Sequence, residues 1–449
     1  MYENFSPQRL TELVEHKQFR PLRELLTEMN EVDIAAFLGE LEPDQQAIVF
    51  RLLPKELAAE VFAYLDDSED QERLIGALSD RELREVLDEL YLDDAVDIIE
   101  EMPASVVSRI LRNTGAETRQ QINELLNYPK DSAGSIMTTE FVSLRPDATV
   151  SDCFQRIRRE GVDKETIYTC YVTHNRVLMG VVTVRQLLLA DAGTRVRDIM
   201  EDHVISVETA MDREEAAQLM SRYDLSALPV VDAEDRVVGI ITFDDVLDVF
   251  QEEATEDIEK MAAIIPSEKP YMQTSVFRLW RNRIPWLLLL MVSATFTGRI
   301  IAGFESALAS YAALTIFIPM LMDTGGNCGG QASVTVIRAL SLGEIEFRDL
   351  PRVLWKELRT AVLCALTLFL AVLAKALLLD GQGIRVALVV SLTVFFTVCI
   401  AKLVGCTLPM LAKRLGFDPA VMASPFITTV VDALSLLVYF AVAARVLGL

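Results

Sequence analysis

The sequence predicts a multi-domain chain: an all-α helical-repeat domain, then a tandem pair of α/β modules, then a domain of five membrane-spanning α-helices. Three observations lead to this fold class. Apolar residues recur at helical spacing through residues 1–130, a strand–helix pattern occurs twice in residues 135–250, and five apolar segments follow residue 276. Each segment exceeds the ~20 residues that cross a bilayer, so we expect both soluble and membrane parts.

The charge is divided unevenly along the chain. Residues 1–270 contain 27 Lys and Arg against 57 Asp and Glu, whereas residues 271–449 contain 15 against 9. The whole excess of acid therefore lies in the first part. Because phosphate binding needs clustered Lys and Arg, this balance argues against a nucleic-acid partner. It suits the binding of cations instead.

The first residues, MYENFSPQRLTELVEHK, are polar and contain no apolar run. We therefore expect neither a signal peptide nor an anchor there, and a cytosolic first half. The six cysteines form no CxxC pair, and the three histidines (His16, His174 and His203) are scattered. This pattern argues against zinc and iron–sulfur sites.

The domain of residues 1–130 contains an internal echo. FLGELEPDQQAIVFRLLPKELAAEVF (residues 37–62) reappears as VLDELYLDDAVDIIEEMPASVVSRIL (residues 86–111), with Pro54 and Pro103 at the same place. Such an echo predicts a helical repeat array in which stacked units bury a shared core.

A second duplication follows. SIMTTEFVSL from Ser135 is echoed by DIMEDHVISV from Asp198, and MGVVTVRQLL from Met179 by VGIITFDDVL from Val238. Two such α/β modules with GhhT turns resemble a pair of CBS domains, which we assign to residues 135–197 and 198–250. The resemblance implies a regulatory unit.

A T-x-x-D sequence in that family can hold a nucleotide. The second module has it as Thr242 and Asp245, whereas the first has Thr183 and Gln186. The resemblance therefore implies an adenine nucleotide as a candidate ligand. The alternative is that Thr242 caps a helix and Asp245 favours the positive end of its dipole.

Residues 251–275 form an acidic connection to the membrane part. EEATEDIEKM predicts a charged helix that stops near Pro266. The alternative is that its charged residues only form a solvent-exposed face of the helix.

The apolar segments lie near residues 284–304, 307–340, 353–379, 384–415 and 420–447, within a predicted five-span pore domain of residues 276–449. An odd number of spans puts the two termini on opposite sides. Basic residues mark the cytosolic connections: Arg278, Arg281, Arg283, Arg338, Arg348, Arg352, Lys356, Arg359, Lys413 and Arg414. We therefore expect a multi-pass protein of the cell (inner) membrane with a cytoplasmic N-terminal half and the C-terminus outside.

The second apolar segment, IPMLMDTGGNCGGQASVTVIRAL, carries Asp323, Asn327 and Gln331 among Pro319 and several glycines. We expect the proline and glycines to interrupt the helix, and interrupted polar helices line transport pathways. The alternative is that the glycines only allow close helix packing.

The fifth segment contains Asp418 near its start and Asp432 14 residues later. At ~1.5 Å per residue they are ~20 Å apart, so one lies at a mouth and the other deep in the membrane. The alternative role for Asp432 is a structural pair with Lys402 or Lys375.

The order of parts, with PMLMDTGGNCGGQAS, EEATEDIEKM and GFDPAVMASPFITTVVDALSLL, resembles the MgtE-type magnesium channels over essentially the whole chain. That resemblance implies a homodimer in the bilayer, with Asp432 of both subunits facing hydrated Mg²⁺ and with Asp323 and Asn327 lining the pore. Some relatives carry Asn where this chain has Gly330 and Ser424, which leaves the pore lining open at those positions.

The resemblance also implies negative feedback, in which cytosolic Mg²⁺ binds acidic residues and closes the channel. Without cation these surfaces repel one another, and bound Mg²⁺ lets them approach. Position by position, the implied sensing ligands are Glu60, Asp93, Asp97, Glu214, Asp224, Asp245, Asp248, Glu256, Asp257 and Asp418.

Three other classes of protein are weighed against this one. A proton- or ion-coupled secondary transporter of Mg²⁺, Co²⁺ or Mn²⁺ would use Asp432 and Asp323 as proton carriers. The acidic pathway argues against a CBS-regulated anion channel. No catalytic Ser-His, Cys-His or His-metal set occurs, so we expect no enzyme. Selectivity among divalent cations stays open.

Overall fold

The structure is a computed structural model that describes residues 7–65, 68–267, 271–272, 274–422 and 424–448. The chain divides into two compact units, Met1–Phe250 and Gln251–Leu449, which we call unit 1 and unit 2. The side chain of Ser424 lies outside the described part of the molecule.

Short helices build the N-terminal part of unit 1. Within the described residues they are α1 (Pro7–Glu15), α2 (Phe19–Leu26), α3 (Glu31–Gly39), α4 (Pro43–Phe50), α5 (Lys55–Ala63), α6 (Ser68–Ala77), α7 (Asp80–Leu87), α8 (Leu92–Glu101), α9 (Ala104–Asn113) and α10 (Ala116–Leu125). The prediction of an all-α part is confirmed.

These helices stack as the sequence echo predicts. The helices α3, α5, α7 and α9 pack successively on one another, while α4 packs on α6 and α8 on α10. Pro54 and Pro103 each stand directly before the helix at the equivalent place, α5 and α9. There the missing N–H of proline costs no helical hydrogen bond. The echo thus relates α4 and α5 to α8 and α9, 49 residues later, within a repeat of four helices.

Two small three-stranded sheets follow. The strands are β1 (Phe141–Leu144), β2 (Thr166–His174), β3 (Val177–Thr183), β4 (Val207–Glu208), β5 (Ala227–Val231) and β6 (Val237–Thr242); the helices are α11 (Val150–Glu160), α12 (Val184–Leu189), α13 (Arg213–Arg222) and α14 (Phe243–Met261). In both sheets the first strand runs parallel to the second and the third antiparallel to it. The tandem α/β pair is confirmed.

The two modules exchange backbone pairing. Thr138, at the start of the first module, bridges Ile240 of β6, and the equivalent Glu201 of the second module bridges Val181 of β3. A Cβ on Gly239 would lie 2.8 Å from the carbonyl oxygen of Thr138. The glycine of the repeated GhhT turn is therefore needed for the close approach of the two modules.

The hydrophobic core of unit 1 has two main parts. The buried residues of the helical repeats and of the second module form one continuous cluster, from Leu10 to Val249. The first module has its own cluster around Val172 and Val182. The second module is therefore the one that shares a core with the helical repeats.

Unit 2 consists of long helices after the end of α14. They are α15 (Val276–Gly303), α16 (Glu305–Ser310), α17 (Ala313–Ser341), α18 (Leu350–Leu378), α19 (Ile384–Arg414) and α20 (Ser424–Leu447). The connecting helix is not a separate element from residue 251 on, because α14 runs without a break from Phe243 to Met261.

Within the described residues, four stretches are long and apolar enough to cross a membrane: Val276–Gly303, Phe347–Leu378, Ile384–Arg414 and Pro419–Leu447. The fifth long helix, α17, has 29 residues, but the polar residues along it lower its mean hydropathy. It packs against both α19 and α20, so much of its surface is covered by protein. These helices are consistent with a transmembrane domain, and the fold class is confirmed.

The expected interruption of α17 is wrong. The helix is continuous through Pro319 and its glycines, and the glycines serve packing. A Cβ on Gly325 would lie 2.9 Å from the side chains of Thr397 on α19 and Val431 on α20. A Cβ on Gly405 of α19 would lie even closer to the backbone carbonyl oxygen of Gly329. Small residues let the helices approach closely where lipid supplies no hydrophobic drive.

Candidate ion pathway and acidic sites

One face of α17 carries a stripe of polar residues. Asp323, Asn327, Gln331 and Thr335 follow one another at four-residue spacing, and all four are exposed in the single chain. At that spacing they lie on one side of the helix. Such a polar stripe is costly against lipid hydrocarbon, so this face requires water or more protein.

Asp432 of α20 belongs to the same region. It follows Val431, whose side chain lies against Gly325 and Gly329 of α17. The carboxylates of Asp432 and Asp323 are close enough to interact electrostatically. The structure therefore brings together the acid predicted for the pore and the acid predicted to line it, while the glycines occupy the opposite, packed side of α17.

The pairing of Asp432 with a lysine is not formed. Lys402 Nζ lies 3.9 Å from Glu357 Oε2, and Lys375 Nζ lies 2.7 Å from Asp380 Oδ2. Both lysines are engaged by other carboxylates, so the structural alternative for Asp432 is wrong. The Lys402–Glu357 pair was not predicted, and its side chains are only 6% and 14% exposed.

Unit 1 gathers a group of carboxylates that we call the acidic cluster. It comprises Asp93 and Asp94 at the start of α8, Glu165 before β2, and Asp244 and Asp245 at the start of α14. Sequence reasoning selected Asp93 and Asp245 but missed Asp94, Glu165 and Asp244. For Asp94 the signal was its place beside Asp93; for Glu165 the sequence gives none.

Burial and the proximity of other carboxylates raise the pKa values in the acidic cluster. Burial raises the pKa of Asp93 well above its usual range, and the charges of Asp245 and Asp94 raise it further. Burial and the neighbouring aspartates raise the pKa of Asp94 to about 6 and that of Glu165 to about 7. Within the described residues, no Lys or Arg forms a salt bridge with the acidic cluster.

The acidic cluster suits a small dication. Asp93 Oδ1 and Glu165 Oε2 are buried and have no hydrogen-bond partner within the described residues. Carboxylate oxygens are the ligands that Mg²⁺ prefers, and Mg²⁺ keeps several of its waters. In the described residues no three His, Cys, Asp or Glu side chains lie close enough to hold an ion directly. The residues therefore fit a hydrated ion better than a closed cage.

The other predicted sensing residues of unit 1 are distributed more widely. Glu60 lies on α5, where burial, followed by the charge of Glu31, raises its pKa. Asp97 lies on α8 and is exposed, and Asp248 lies one turn after the acidic cluster on α14. Glu214 begins α13 and Asp224 follows its end, ~15 Å away along the helix. These last two do not share one site.

Thr242 and Asp245 are engaged with each other. The backbone N–H and the hydroxyl of Thr242 donate to Asp245 Oδ2 at 3.3 and 2.5 Å. In the first module, Thr183 and Gln186 form a complete capping box. In the second module the contact supports the helix-cap interpretation of Thr242, and it engages only one of the two carboxylate oxygens of Asp245.

The predicted sensing residues of unit 2 lie around the last turns of α14. Lys260 Nζ donates to Asp418 Oδ2 at 2.6 Å and also contacts Glu256; these three residues are the α14 site. Ser341, the last residue of α17, donates to Asp257 Oδ2 at 3.1 Å. The structure thus brings Glu256, Asp257 and Asp418 together, and it adds a lysine that sequence reasoning did not select.

Lys260 keeps its charge in this position. Desolvation lowers its pKa, but hydrogen bonds and attraction from Asp418 and Glu256 more than offset this, so the net effect raises the pKa above its usual value. Burial raises the pKa of Asp257, while the hydrogen bond from Ser341 lowers it. An ammonium therefore compensates two carboxylates of the α14 site.

A helical-repeat domain, a CBS-type pair and a bundle of membrane-length helices with an acidic polar stripe define a multi-pass membrane protein. Three kinds of family model match it: "MgtE intracellular N domain" over residues 29–131, "CBS domain" over residues 133–193 and 196–252, and MgtE "Divalent cation transporter" over residues 318–442. The chain belongs to the MgtE family.

Relatives match over nearly the full length. The chain is 40% identical to "Magnesium transporter MgtE" of Thermus thermophilus, covering 98% of each, and 33% identical to that of Bacillus subtilis, covering 92% of this chain and 93% of the relative. These homologues are named as transporters, not enzymes.

Two solved structures resemble the first half of the chain. The cytosolic domain of the Mg²⁺ channel MgtE in complex with ATP is 41% identical, with a TM-score of 0.52, and covers 54% of this chain and 100% of its own. The soluble part of a magnesium transporter is 31% identical, with a TM-score of 0.53, and covers 56% and 99%.

Proposed function

We propose that this protein is a Mg²⁺ channel for Mg²⁺ uptake, gated by negative feedback from Mg²⁺ in the cytosol. The observation that carries the proposal is the polar stripe of α17 with Asp432 beside it. The stripe is exposed in the single chain, although the other face of α17 packs against membrane-length helices. The names of the full-length relatives support Mg²⁺ as the ion.

The polar stripe favours a homodimer. Exposed Asp323 and Asn327 would face lipid in a single chain, which is costly. A second copy related by a two-fold axis would cover both stripes and bring two Asp432 carboxylates to one path. Two carboxylates can hold Mg²⁺ through its waters, weakly enough for the ion to leave.

The acidic cluster supports the sensing part of the proposal. Its carboxylates repel one another, and binding of Mg²⁺ would remove that repulsion and stabilise the packed form of unit 1. The remaining sensing residues (Glu60, Asp97, Glu214, Asp224 and Asp248) are proposed to add further weak sites on unit 1. Each ion shifts the equilibrium only by its differential affinity for the two states, so several sites give a sharper response.

We place the first half of the chain and the α14 site in the cytosol and the C-terminus outside, because the basic residues flank one set of helix ends. Glu256, Asp257 and Asp418 would then sense Mg²⁺ on the cytosolic side. The helix α14 begins at the acidic cluster and ends at the α14 site, so it is the element that both sets of acids share.

A nucleotide at the CBS pair is the secondary part of the proposal. The solved cytosolic domain of the MgtE relative contains ATP and matches this region of the chain. Thr242 and Asp245 are the candidate ribose contacts. Because they form a helix cap with each other, nucleotide binding there would compete with that hydrogen bond.

The experiment that tests the channel is Mg²⁺ influx into Mg²⁺-free proteoliposomes at a fixed inside-negative voltage without a pH gradient. The intact protein is compared with Asp432→Asn and with Asp380→Asn, whose carboxylate lies outside the polar stripe and pairs with Lys375. We expect rapid influx for the intact protein and for Asp380→Asn, and its loss for Asp432→Asn.

Two outcomes would contradict this proposal. Equal influx in all three proteins would show that Asp432 is not on the ion path. Influx that begins only when a pH gradient is imposed would favour the proton-coupled transporter, with Asp432 and Asp323 as proton carriers.

A further inference from the structure

One face of α18 is exposed in the single chain. Its exposed residues recur at three- and four-residue spacing, which places them on one side of the helix: Arg352, Trp355, Arg359, Leu363, Leu366 and Leu370. The opposite side packs on α19 and buries Ala361 and Ala365. We call the exposed side the α18 stripe.

The α18 stripe changes from cationic to apolar at Arg359. Counted back from Leu378, the last residue of α18, Arg359 begins a segment of ~20 residues, which is the length that crosses the hydrocarbon of a bilayer. The leucines of the stripe therefore lie at the depth of acyl chains. Trp355, Arg359 and the exposed Lys356 beside them lie at the depth of lipid headgroups.

The positive charge at this depth is not neutralised by nearby acids. Asp349 Oδ1 lies 3.3 Å from an Nη of Arg352, and Glu357 Oε2 lies 3.9 Å from a lysine ammonium of α19, so both carboxylates are engaged elsewhere. Among the residues that the structure describes, Lys356 and Arg359 form no salt bridge. Two cations are therefore available to an anionic ligand.

Trp355 completes this group of side chains. The guanidinium carbon of Arg359 lies 5.8 Å from the centre of the Trp355 ring, within the range of a cation–π interaction. The indole is 60% exposed. Tryptophan is enriched at the level of lipid headgroups, where its N–H meets polar groups and its ring meets acyl chains. Donors of three kinds thus lie within two turns of one helix.

The charge of this face decides between two occupants. A two-fold contact with a second copy would bring the same face of both chains together, so the uncompensated cations of both would meet and repel one another. An anionic phospholipid is complementary instead, because its phosphate accepts hydrogen bonds from guanidinium and ammonium groups. Its acyl chain would continue along the leucines of the α18 stripe.

We propose that Trp355, Lys356 and Arg359 form a binding site for the headgroup of an anionic phospholipid, whose acyl chain lies along Leu363 and Leu366. Basic residues at the membrane surface attract such lipids, and here the order of cations and leucines along one helix face matches the order of headgroup and acyl chain. The inference goes beyond the proposed function, because it depends neither on the ion that crosses the membrane nor on how its path is gated.

The test is quenching of Trp355 fluorescence by brominated lipids in proteoliposomes of the full-length protein. The parent protein carries Trp280→Phe and Trp286→Phe, which remove the other two tryptophans of the chain. The vesicles consist of phosphatidylcholine with a small fraction of either phosphatidylglycerol or phosphatidylcholine that is brominated near the headgroup end of its acyl chains. The ratio of the two quenching curves gives the preference for phosphatidylglycerol at Trp355.

Three variants are compared with the parent. Lys356→Gln/Arg359→Gln removes both cations, and Lys356→Arg/Arg359→Lys exchanges them but keeps their charge. The matched control is Arg281→Gln/Arg283→Gln, which removes two exposed arginines from the start of α15, a helix that packs on α20. We expect a roughly tenfold preference for phosphatidylglycerol in the parent and the control, most of it in the charge-keeping variant, and none in Lys356→Gln/Arg359→Gln.

Four results would overturn the inference. Equal quenching of the parent by both lipids would mean that Trp355 lies beside no anionic lipid site. An equal loss of preference in the α15 control would assign the attraction to general surface charge. Quenching by neither lipid would show that a second copy covers this face. Loss of the preference on addition of inorganic phosphate would indicate a site for free phosphate instead of a lipid.

Discussion

The acidic cluster of unit 1 and the α14 site of unit 2 differ in how the negative charge of neighbouring carboxylates is compensated. In both, carboxylates from different elements lie close together. In the acidic cluster, burial and mutual repulsion raise the pKa of Asp94 to about 6 and that of Glu165 to about 7. In the α14 site, Lys260 forms salt bridges with Glu256 and Asp418.

The difference separates two kinds of acidic contact. A contact that lacks its own cation depends strongly on pH and on dissolved cations, whereas in a contact that contains a lysine the chain itself compensates part of the negative charge. The acids predicted for sensing therefore need not have equal weight. This distinction would be contradicted if charge removal, pH or Mg²⁺ changed the stability of both regions in the same way.

The largest expected effect is at a third site, the pair of Lys402 and Glu357, whose side chains are only 6% and 14% exposed. Lys402→Met leaves Glu357 buried with its charge, so we expect a loss of about 3–5 kcal/mol of stability in the membrane part. Thermal unfolding of the detergent-solubilised protein, followed by size-exclusion chromatography, measures it.

The control for that pair is the double variant Lys402→Met/Glu357→Leu. Replacing both charges by apolar groups removes the unpaired carboxylate, so the double variant should be more stable than Lys402→Met alone. A double variant less stable than either single variant would mean that the two residues act independently.

The next effect concerns the acidic cluster. Asp93→Asn removes one repelling charge, so we expect unit 1 to gain about 1–2 kcal/mol of stability in EDTA and to gain less on addition of Mg²⁺. Circular-dichroism melting of the full-length protein with and without Mg²⁺ measures both. Asp152→Asn is the matched control: Thr149 lowers the pKa of Asp152 through the capping box, so this change should destabilise instead.

A smaller effect is the pH dependence of unit 1 without Mg²⁺. The pKa values of Asp94 and Glu165 are raised in the folded state from 3.8 and 4.5, so the folded state binds more protons than the unfolded state. Stability is then highest below about pH 4 for these groups and falls as the pH rises through 6 and 7. Between pH 5.5 and pH 8 the fall is of the order of 1 kcal/mol for each group.

The same pH series checks the comparison. Melting temperatures at pH 5.5 and pH 8 in EDTA should differ for unit 1, and saturating Mg²⁺ should reduce the difference. Amide hydrogen exchange of residues 251–265, corrected for the intrinsic pH dependence, should stay constant. A stability of unit 1 that rises with pH would contradict the sign of the shifts.

The smallest effect is at the edge of the α14 site. Ser341→Ala removes the hydrogen bond to Asp257, a contribution of about 1 kcal/mol or less, while Lys260 and Met261 stay in place. Hydrogen exchange of residues 251–265 should become about twofold to fivefold faster. Exchange that becomes more than tenfold faster would place the main contact at Asp257.

Much of the fold could be predicted because it is repeated or periodic. The echo with Pro54 and Pro103 predicted the stacked helices, and the repeated GhhT turn predicted two modules that pack on each other. For α17 the residue types indicated a polar, glycine-rich helix. The sequence did not show which of these residues face neighbouring helices and which are exposed. Only the structure placed the glycines on the packed face and Asp323 and Asn327 on the exposed one.

The candidate sites were only partly predictable. Asp93, Asp245, Glu256 and Asp418 were selected by resemblance and do lie in groups, while their wider roles remain predictions. The partners of such residues lie far away in sequence: Glu165 joins Asp94 across 71 positions and Lys260 joins Asp418 across 158. Spacing along a helix or strand gives no information on such pairs.

The sequence by itself determined the order of domains, the number of long apolar segments and the family. It also determined that the excess of acidic residues lies outside the apolar part of the chain. These follow from local periodicity and composition, which every segment carries in its own residues. Only the tertiary structure decided which carboxylates share a cation and which do not. A charge acts through space over a few ångströms, so its partner is set by how distant elements pack, not by its neighbours in the chain.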